Sequence, residues 1–270
     1  MDLSYDGSPF FGWQIQPGVP TVQGSLESVL ETLLHCHVGV TGAGRTDTGV
    51  HALRYVAHFD FDGPVPAALS DGSSLDCAQL RYKLNAMLPR EIAVSGICPA
   101  DPYFHARFDA VRRSYSYYLH RAKNPFLEKQ SYYYAYPDVD FELMNRCAAL
   151  LAGTHDFSCF EKSGGDNKTS VCTVVKAAWT QYEPQMQAAP GTCWRFDICA
   201  DRFLRNMVRA VVGTLLEVGR GKRSPESFAA LVLPVNEMPG QAGHDGKQVR
   251  RSEAGESVPA HALFLTNVEY

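Results

Sequence analysis

Thr41-Gly42-Ala43-Gly44-Arg45-Thr46-Asp47-Thr48-Gly49-Val50-His51-Ala52 gathers glycines and threonines around one arginine and one aspartate. Glycine lets backbone turn sharply or approach a neighbour closely, and threonine hydroxyls bond loop amides, so this is a shaped loop and not a helix or strand. Val38 and Val40 alternate before it. After it, Leu53, Tyr55, Ala57 and Phe59 alternate with Arg54, Val56, His58 and Asp60, which is strand patterning. The loop therefore joins two strands at a sheet edge, a common seat for a catalytic group.

The spacing of Gly44 and Gly49 matches a phosphate-cradling loop, but Val50-His51 stand where that motif needs Lys and Ser/Thr, which excludes it. Two readings stay open on these residues alone. One is an ordinary turn in which Asp47 accepts loop amides. The other is a carboxylate nucleophile or base beside Arg45, which two residues away in extended chain points to the same side and holds the acid ionised.

Outward from the loop, Thr21 caps a helix with Val22, Leu26, Val29, Leu30 and Leu33 at helical spacing, and Asp76 or Ser74 starts another with Leu80, Leu84 and Leu88 inward until Pro89. With strands near 3, 38, 55 and 94 the order is βαββαβ, ferredoxin-like in its layering. Ser114 to His120 alternates as a strand, with Tyr115, Tyr117 and Leu119 on one face. A helix is expected from about Asp140 to Leu151, then His155-Asp156-Phe157 as a capping loop, a mobile loop over 161–169, and strands at about 171–182 and 192–200. Phe203 to Val218 reads as a helix on which Arg202, Arg205 and Arg209 share one stripe. Ser224-Pro225 opens a last helix, and Leu263 to Tyr270 closes the chain as a strand.

The 270 residues carry a net charge of −4, which as an average argues against a polyanionic partner. The distribution argues otherwise. Arg107, Arg112, Arg113, Arg121, Lys123 and Lys129 form one basic run, and Arg202, Arg205, Arg209, Arg220, Lys222 and Arg223 form another. Solvated faces are one reading of them, and a basic trough on an acidic protein is the reading preferred here. No run approaches a membrane span and the N-terminus lacks a secretory signal, so a cytoplasmic protein is expected. The eight cysteines include no Cys-x-x-Cys pair, and His35-Cys36-His37 reads as surface or core filler, so no metal site is assigned.

Gly-Ala-Gly-Arg-Thr-Asp-Thr-Gly-Val-His-Ala resembles the active-site motif of the TruA-type tRNA pseudouridine synthases. Tyr5-Asp6-Gly7, Phe11-Gly12-Trp13-Gln14, Phe104-His105-Ala106-Arg107-Phe108, Arg112-Arg113-Ser114-Tyr115-Ser116-Tyr117, His155-Asp156-Phe157, Met207-Val208-Arg209 and Val258-Pro259-Ala260 resemble further segments of that family, in its order. The match spans nearly the whole chain. It departs at the start, where the opening strand is a few residues short and its pairing is expected to be the least secure. It departs again at about 235–250, an insertion with no inferred role.

The resemblance implies an α+β fold of two ferredoxin-like halves with antiparallel sheets side by side and the active-site cleft between them. An N-terminal domain, 1–107, would carry the Asp47 loop, and a C-terminal domain, 108–270, the Tyr115 strand and the Arg209 helix. It implies Asp47 as the nucleophile, Arg45 as its neighbour contacting backbone or base, Tyr115 stacked on the target base, and Arg209 as the ion-pair partner of Asp47. Attack at C1′ and attack on the uracil ring both stay open. The reaction implied is uridine to pseudouridine at positions 38, 39 and 40 of the tRNA anticodon arm, by a homodimer without cofactor. Arg107, Arg112, Arg113, Arg202 and Arg205 are the candidate RNA contacts. A glycosidase would need a second carboxylate across the bond, and none is evident by motif near Asp47. An RNA-binding protein of the same fold without catalysis is the remaining alternative.

Overall fold

The computed structural model describes residues 1–72, 74–162, 164, 169–185, 188–234 and 253–270. The predicted insertion at about 235–250 lies outside the described residues, as does most of the 161–169 loop. The fold is α+β, with largely antiparallel strand pairing, and the chain divides into two compact units: Met1–Val111 with Phe264–Tyr270, and Arg112–Leu263.

The first unit runs β1 (Asp2–Tyr5), α1 (Val22–Leu34), β2 (Val40–Gly42), β3 (His51–Phe59), α2 (Cys77–Met87) and β4 (Ile92–Gly96). β1 is antiparallel to both β3 and β4, although its shortness relative to the resembled family marked its pairing as the least secure. Thr21 and Asp76 cap the two helices with side-chain oxygens on the first free amides, as their residue types predict. Leu26, Leu30 and Leu34 of α1 and Leu80 and Leu84 of α2 are buried, as are Leu3, Tyr5, Tyr55, Ala57, Ile92 and Val94 of the strands.

Two expectations fail in this unit for non-local reasons. Leu53, expected on the face of Tyr55, is 54% exposed. Leu3 pairs with Tyr55 but Tyr5 pairs with Ala52, so Leu53 and Arg54 of β3 oppose Ser4 of β1 alone, and this bulge flips the alternation. The closing strand β11 (Leu263–Glu269), placed by sequence in the second half, lies parallel to β3, with Phe264 opposite His51 and Leu265 opposite Ala52.

The second unit contains β5 (Arg112–His120), β6 (Tyr132–Tyr133), α3 (Phe141–Ala149), β7 (Gly153–Asp156), β8 (Val171–Gln181), β9 (Cys193–Ala200), α4 (Met207–Gly219), α5 (Pro225–Ala229) and β10 (Leu233–Pro234). Its strands are ordered β10-β7-β8-β9-β5, with β6 parallel to the end of β5. Buried Phe141, Met144 and Cys147 of α3, Trp179 of β8, Phe196 and Ile198 of β9, and Met207, Val211 and Leu215 of α4 form its core. His155-Asp156, expected in a loop, is the end of strand β7, paired with Cys172 and Val171. Asp156 still caps, accepting the Ser158 amide at 2.8 Å. The α4 helix starts four residues later than its apolar spacing predicts, because Asn206 takes a left-handed conformation at φ 65° and interrupts the helical run. Arg202 and Arg205 therefore precede the helix, and the expected stripe of Arg202, Arg205 and Arg209 does not form.

Candidate active site

The Asp47 loop leaves β2 at Gly42 and enters β3 at His51. Along it burial alternates: Arg45 is exposed, Thr46 is 7% exposed, and Asp47 is half-buried. Thr46 is the anchor. Its hydroxyl meets the Tyr5 hydroxyl at 2.9 Å and its carbonyl accepts the Trp13 amide at 3.2 Å, which leaves Arg45 and Asp47 on the other side of an extended segment. Asp47 then opens a tight turn: the Val50 amide donates to the Asp47 carbonyl at 3.1 Å, and Gly49 at the third position has φ 78°. That positive φ is the geometry for which a type II turn selects glycine.

The scaffold under the loop comes from Gly7 to Trp13 and from three aromatic rings. Trp13 stacks on Tyr55 with centroids 4.2 Å apart, and Tyr5 sits 5.6 Å from Tyr55. The Tyr55 hydroxyl donates a short hydrogen bond to the Gly44 carbonyl. A Cβ on Gly42 would fall 2.2 Å from the Tyr55 hydroxyl, so glycine there is a condition of this packing. Gly12, at φ 90°, lies against the Thr46 carbonyl, where a Cβ would come within 2.5 Å. Alternation along β3 marks Tyr55 only as a core residue, and its role as a loop brace was not read from the sequence.

His51, at the far end of the loop, is 2% exposed and stacks on Phe264 of β11 at 4.4 Å. Its Nδ1 lies 3.0 Å from Asp6 Oδ1 and 3.1 Å from the Gly7 amide. Burial pushes the Asp6 carboxyl up, but hydrogen bonds from Ser8 and the charge of His51 outweigh it and hold this group below its usual range.

In the second unit, β5 presents Tyr115 and Tyr117 on one face. Tyr115 meets the Phe203 ring edge-on at 5.0 Å. Tyr117 is fully buried and donates to the Pro259 carbonyl at 3.1 Å, in keeping with a structural role. Burial pushes its hydroxyl well above the ordinary tyrosine range, against the pull of nearby Arg209. Arg209 lies in the first turn of α4, its Nε donating to the Val258 carbonyl at 2.8 Å while the Val258 amide donates back to the Arg209 carbonyl at 3.3 Å. The segment carrying Val258 approaches α4 at Gly213, where a Cβ would be 1.8 Å from the Glu256 carbonyl oxygen.

Three of the candidate RNA-contacting arginines donate to main-chain carbonyls of the second unit. Arg113 Nη1 donates to the Asp201 carbonyl at 3.0 Å, Arg202 Nη2 to Thr169 at 3.2 Å, and Arg205 Nη1 to Gly164 at 3.5 Å. Arg112 is exposed, and Arg107 belongs to the first unit, 5.7 Å from the Phe108 ring. Among the described residues no group of three or more His, Cys, Asp or Glu side chains is placed to hold a metal ion, and His35, Cys36 and His37 are all exposed. No described helix is long and apolar enough to cross a membrane.

Residues 147–270 match a family model described as tRNA pseudouridine synthase. Over 268 residues the chain is 44% identical to a Bacteroides fragilis protein named tRNA pseudouridine synthase A, covering 99% of this chain and 94% of that one. A Bacteroides thetaiotaomicron protein of the same name is 45% identical over 99% of this chain and 88% of its own length. A third of that name, from a Geobacillus strain, is 39% identical over 99% of this chain and 96% of its own length. Similarity at this level along almost the full length, joined to a glycine-built loop that holds Asp47 and Arg45, places the chain in the TruA-type tRNA pseudouridine synthase family.

Proposed function

We propose that the chain is an isomerase converting uridine to pseudouridine in the anticodon arm of tRNA, at positions 38, 39 and 40, with Asp47 as nucleophile. The observation that carries this reading is the Asp47 loop, whose buried Thr46 anchor and Gly49 turn hold the half-buried Asp47 two residues from the exposed Arg45.

The reaction breaks the N1–C1′ bond, rotates the uracil and joins C5 to C1′, while the C5 proton departs and N1 gains one. No electron is gained or lost and no group donor is consumed, so the reading assigns no cofactor. A carboxylate suits it because it can add to an electron-poor carbon and leave again. The uridine must first leave its stack. Arg45 contacts the backbone or base of the everted nucleotide, Tyr115 stacks on the base and can accept a proton, and Arg209 pairs with Asp47 and orients it. Arg107, Arg112, Arg113, Arg202 and Arg205 neutralise phosphates. In this reading each of the two units, Met1–Val111 with Phe264–Tyr270 and Arg112–Leu263, is a ferredoxin-like half, and the chain acts in the cytoplasm as a homodimer.

The test is pseudouridine formation on an unmodified tRNA transcript, comparing the parent with Asp47→Ala. Turnover should fall at least about 1,000-fold, the order seen when a nucleophile is removed, while tRNA binding survives. Unchanged turnover removes Asp47 from its role. A parent that binds tRNA without making pseudouridine is instead an RNA-binding protein of this fold. Arg209→Ala should lower turnover more than it lowers folding stability.

A further inference from the structure

Residues 101–109 form a knuckle whose backbone is tied down at almost every step. The Asp101 carboxylate accepts the Tyr103 amide at 2.8 Å, and the Asp109 carboxylate accepts the His105 amide at 2.7 Å. The His105 carbonyl accepts from Phe108 and Asp109 at 3.1 and 3.0 Å, and its Nδ1 accepts the Arg107 and Phe108 amides at 3.2 Å each. Ala106 is the docking point: its amide donates to His58 Nδ1 at 3.1 Å and its carbonyl accepts the Tyr270 hydroxyl at 2.7 Å. His58 lies on β3 opposite Thr41, one residue before the Asp47 loop leaves β2. Knuckle and loop thus hang on the same pair of strands.

This braced turn holds large rings in water. Tyr103 is 92% exposed and Phe108 75% exposed. His105 stacks on the Phe108 ring at 4.2 Å, yet most of that ring stays open, and the Arg107 guanidinium carbon is 5.7 Å from its centroid. A hydrogen-bonded loop that holds two aromatic rings outward offers a preformed contact surface. The two carboxylates of the knuckle are turned to its own amides, and Arg107 sets a guanidinium beside the ring. An exposed aromatic ring with a guanidinium close to it is the chemistry that takes an unpaired nucleobase and its phosphate.

We infer that Phe108, flanked by Arg107, is a stacking platform for an unpaired nucleobase of the RNA substrate other than the reacting uridine. The inference rests on the reading of this chain as an enzyme acting on tRNA, and makes Phe108 a substrate-binding residue outside the chemistry.

The experiment measures kcat and KM on a tRNA transcript, together with tRNA affinity by filter binding, for the parent, Phe108→Ala, Phe108→Leu, Phe108→Tyr and Arg107→Ala. Stacking on an aromatic residue is worth enough per base that Phe108→Ala should weaken affinity and raise KM about fivefold to a hundredfold, with kcat within about twofold of the parent. Phe108→Tyr keeps the ring and should behave as the parent. Phe108→Leu keeps apolar bulk without a π face and should behave as Phe108→Ala. Arg107→Ala should lower the slope of log affinity against log salt by about one, which Phe108→Ala leaves unchanged. The inference fails if Phe108→Ala binds tRNA within about twofold of the parent, if Phe108→Leu matches the parent, or if Phe108→Ala changes the mass in solution, which would make the ring a subunit contact. Absence of pseudouridine from the parent itself defeats the earlier reading, and filter binding then decides this one alone.

Discussion

In the first unit the candidate nucleophile rides on a loop, and in the second the candidate ion-pair arginine rides on a helix; the two are held by opposite means. Asp47 has no helix or sheet ladder of its own, so its position comes from backbone-to-backbone approach at Gly7 and Gly12, from Gly42 lying against the Tyr55 and Trp13 side chains, and from the Tyr5 ring beside them. Arg209 inherits a rigid backbone from α4 and needs only its side chain aimed, which the Val258 carbonyl does from 49 residues away in sequence. A loop site is thus vulnerable to small local changes that leave folding intact. A helix site is vulnerable to changes that cost stability first.

Within this contrast the largest expected effect falls on its loop side. A Cβ on Gly7 would stand 2.0 Å from the Val50 carbonyl oxygen, so Gly7→Ala must move the end of the Asp47 turn. A shift of about 1 Å at a reacting group can cost on the order of 100-fold in rate, and that is the predicted loss in single-turnover pseudouridine formation. The melting temperature should move far less than the rate does; a variant with full activity would show that the turn is not held as described. The helix side is tested by Gly213→Ala, whose Cβ would meet the Glu256 carbonyl oxygen at 1.8 Å. Overpacking of this kind costs about 1–3 kcal/mol, read by denaturant unfolding, with turnover falling only as the folded fraction falls. Normal stability with lost turnover would reverse the contrast.

The legibility of the sequence divides along the same line between local and non-local causes. The Asp47 loop shows because glycines, threonines and one acid crowd into a dozen residues, and helices α1 and α2 show because Thr21 and Asp76 each cap the residues directly after them. The bulge at Leu53 does not show, since it is set by the register of β3 against β1 and not by the order of residues in β3. Alternation from Leu263 identifies a strand but not its sheet, and β11 lies beside His51, more than two hundred residues away in sequence. Apolar spacing carried the predicted start of α4 back to Phe203, because Asn206 in the left-handed region leaves no trace in the hydrophobic period. Tyr55 as a brace was missed for a similar reason: its contact with Gly44 is made by a hydroxyl at the tip of a side chain whose ring already satisfies the strand pattern.

Tyr55→Phe sharpens the comparison at intermediate scale. It keeps the ring stacked on Trp13 and deletes only the hydroxyl that donates to Gly44. The net value of one such hydrogen bond is about 0.5–1.5 kcal/mol. Because the bond reaches the loop directly, the predicted signature is a fall in kcat alongside a small loss of stability, measured on the same preparation. An equal loss of stability with unchanged kcat would assign Tyr55 to the core alone.

The smallest effect separates the two units by pH. His58 is held below its usual range, first by burial and then by the charge of His105, against the opposing pull of Asp60 and Asp109. Its Nδ1 must stay unprotonated to accept the Ala106 amide. The folded protein therefore binds fewer protons here than the unfolded chain, so this contribution to stability is complete above pH 6.5 and is lost as the pH falls through 6.5 toward the lower folded value. His120 is the counterpart in the second unit: fully buried, also held low by burial, with Glu128 3.7 Å from its Nε2 pulling the other way. Both therefore weaken the fold on acidification with the same sign, ahead of Asp6, whose contribution is lost only below its ordinary value of 3.8. His58→Gln keeps an acceptor for Ala106 and removes the first unit's titration, so the fall of melting temperature between pH 7 and pH 5 should become shallower without vanishing. A slope identical to the parent's would show that protons reach the protein elsewhere, and that the knuckle does not sense them.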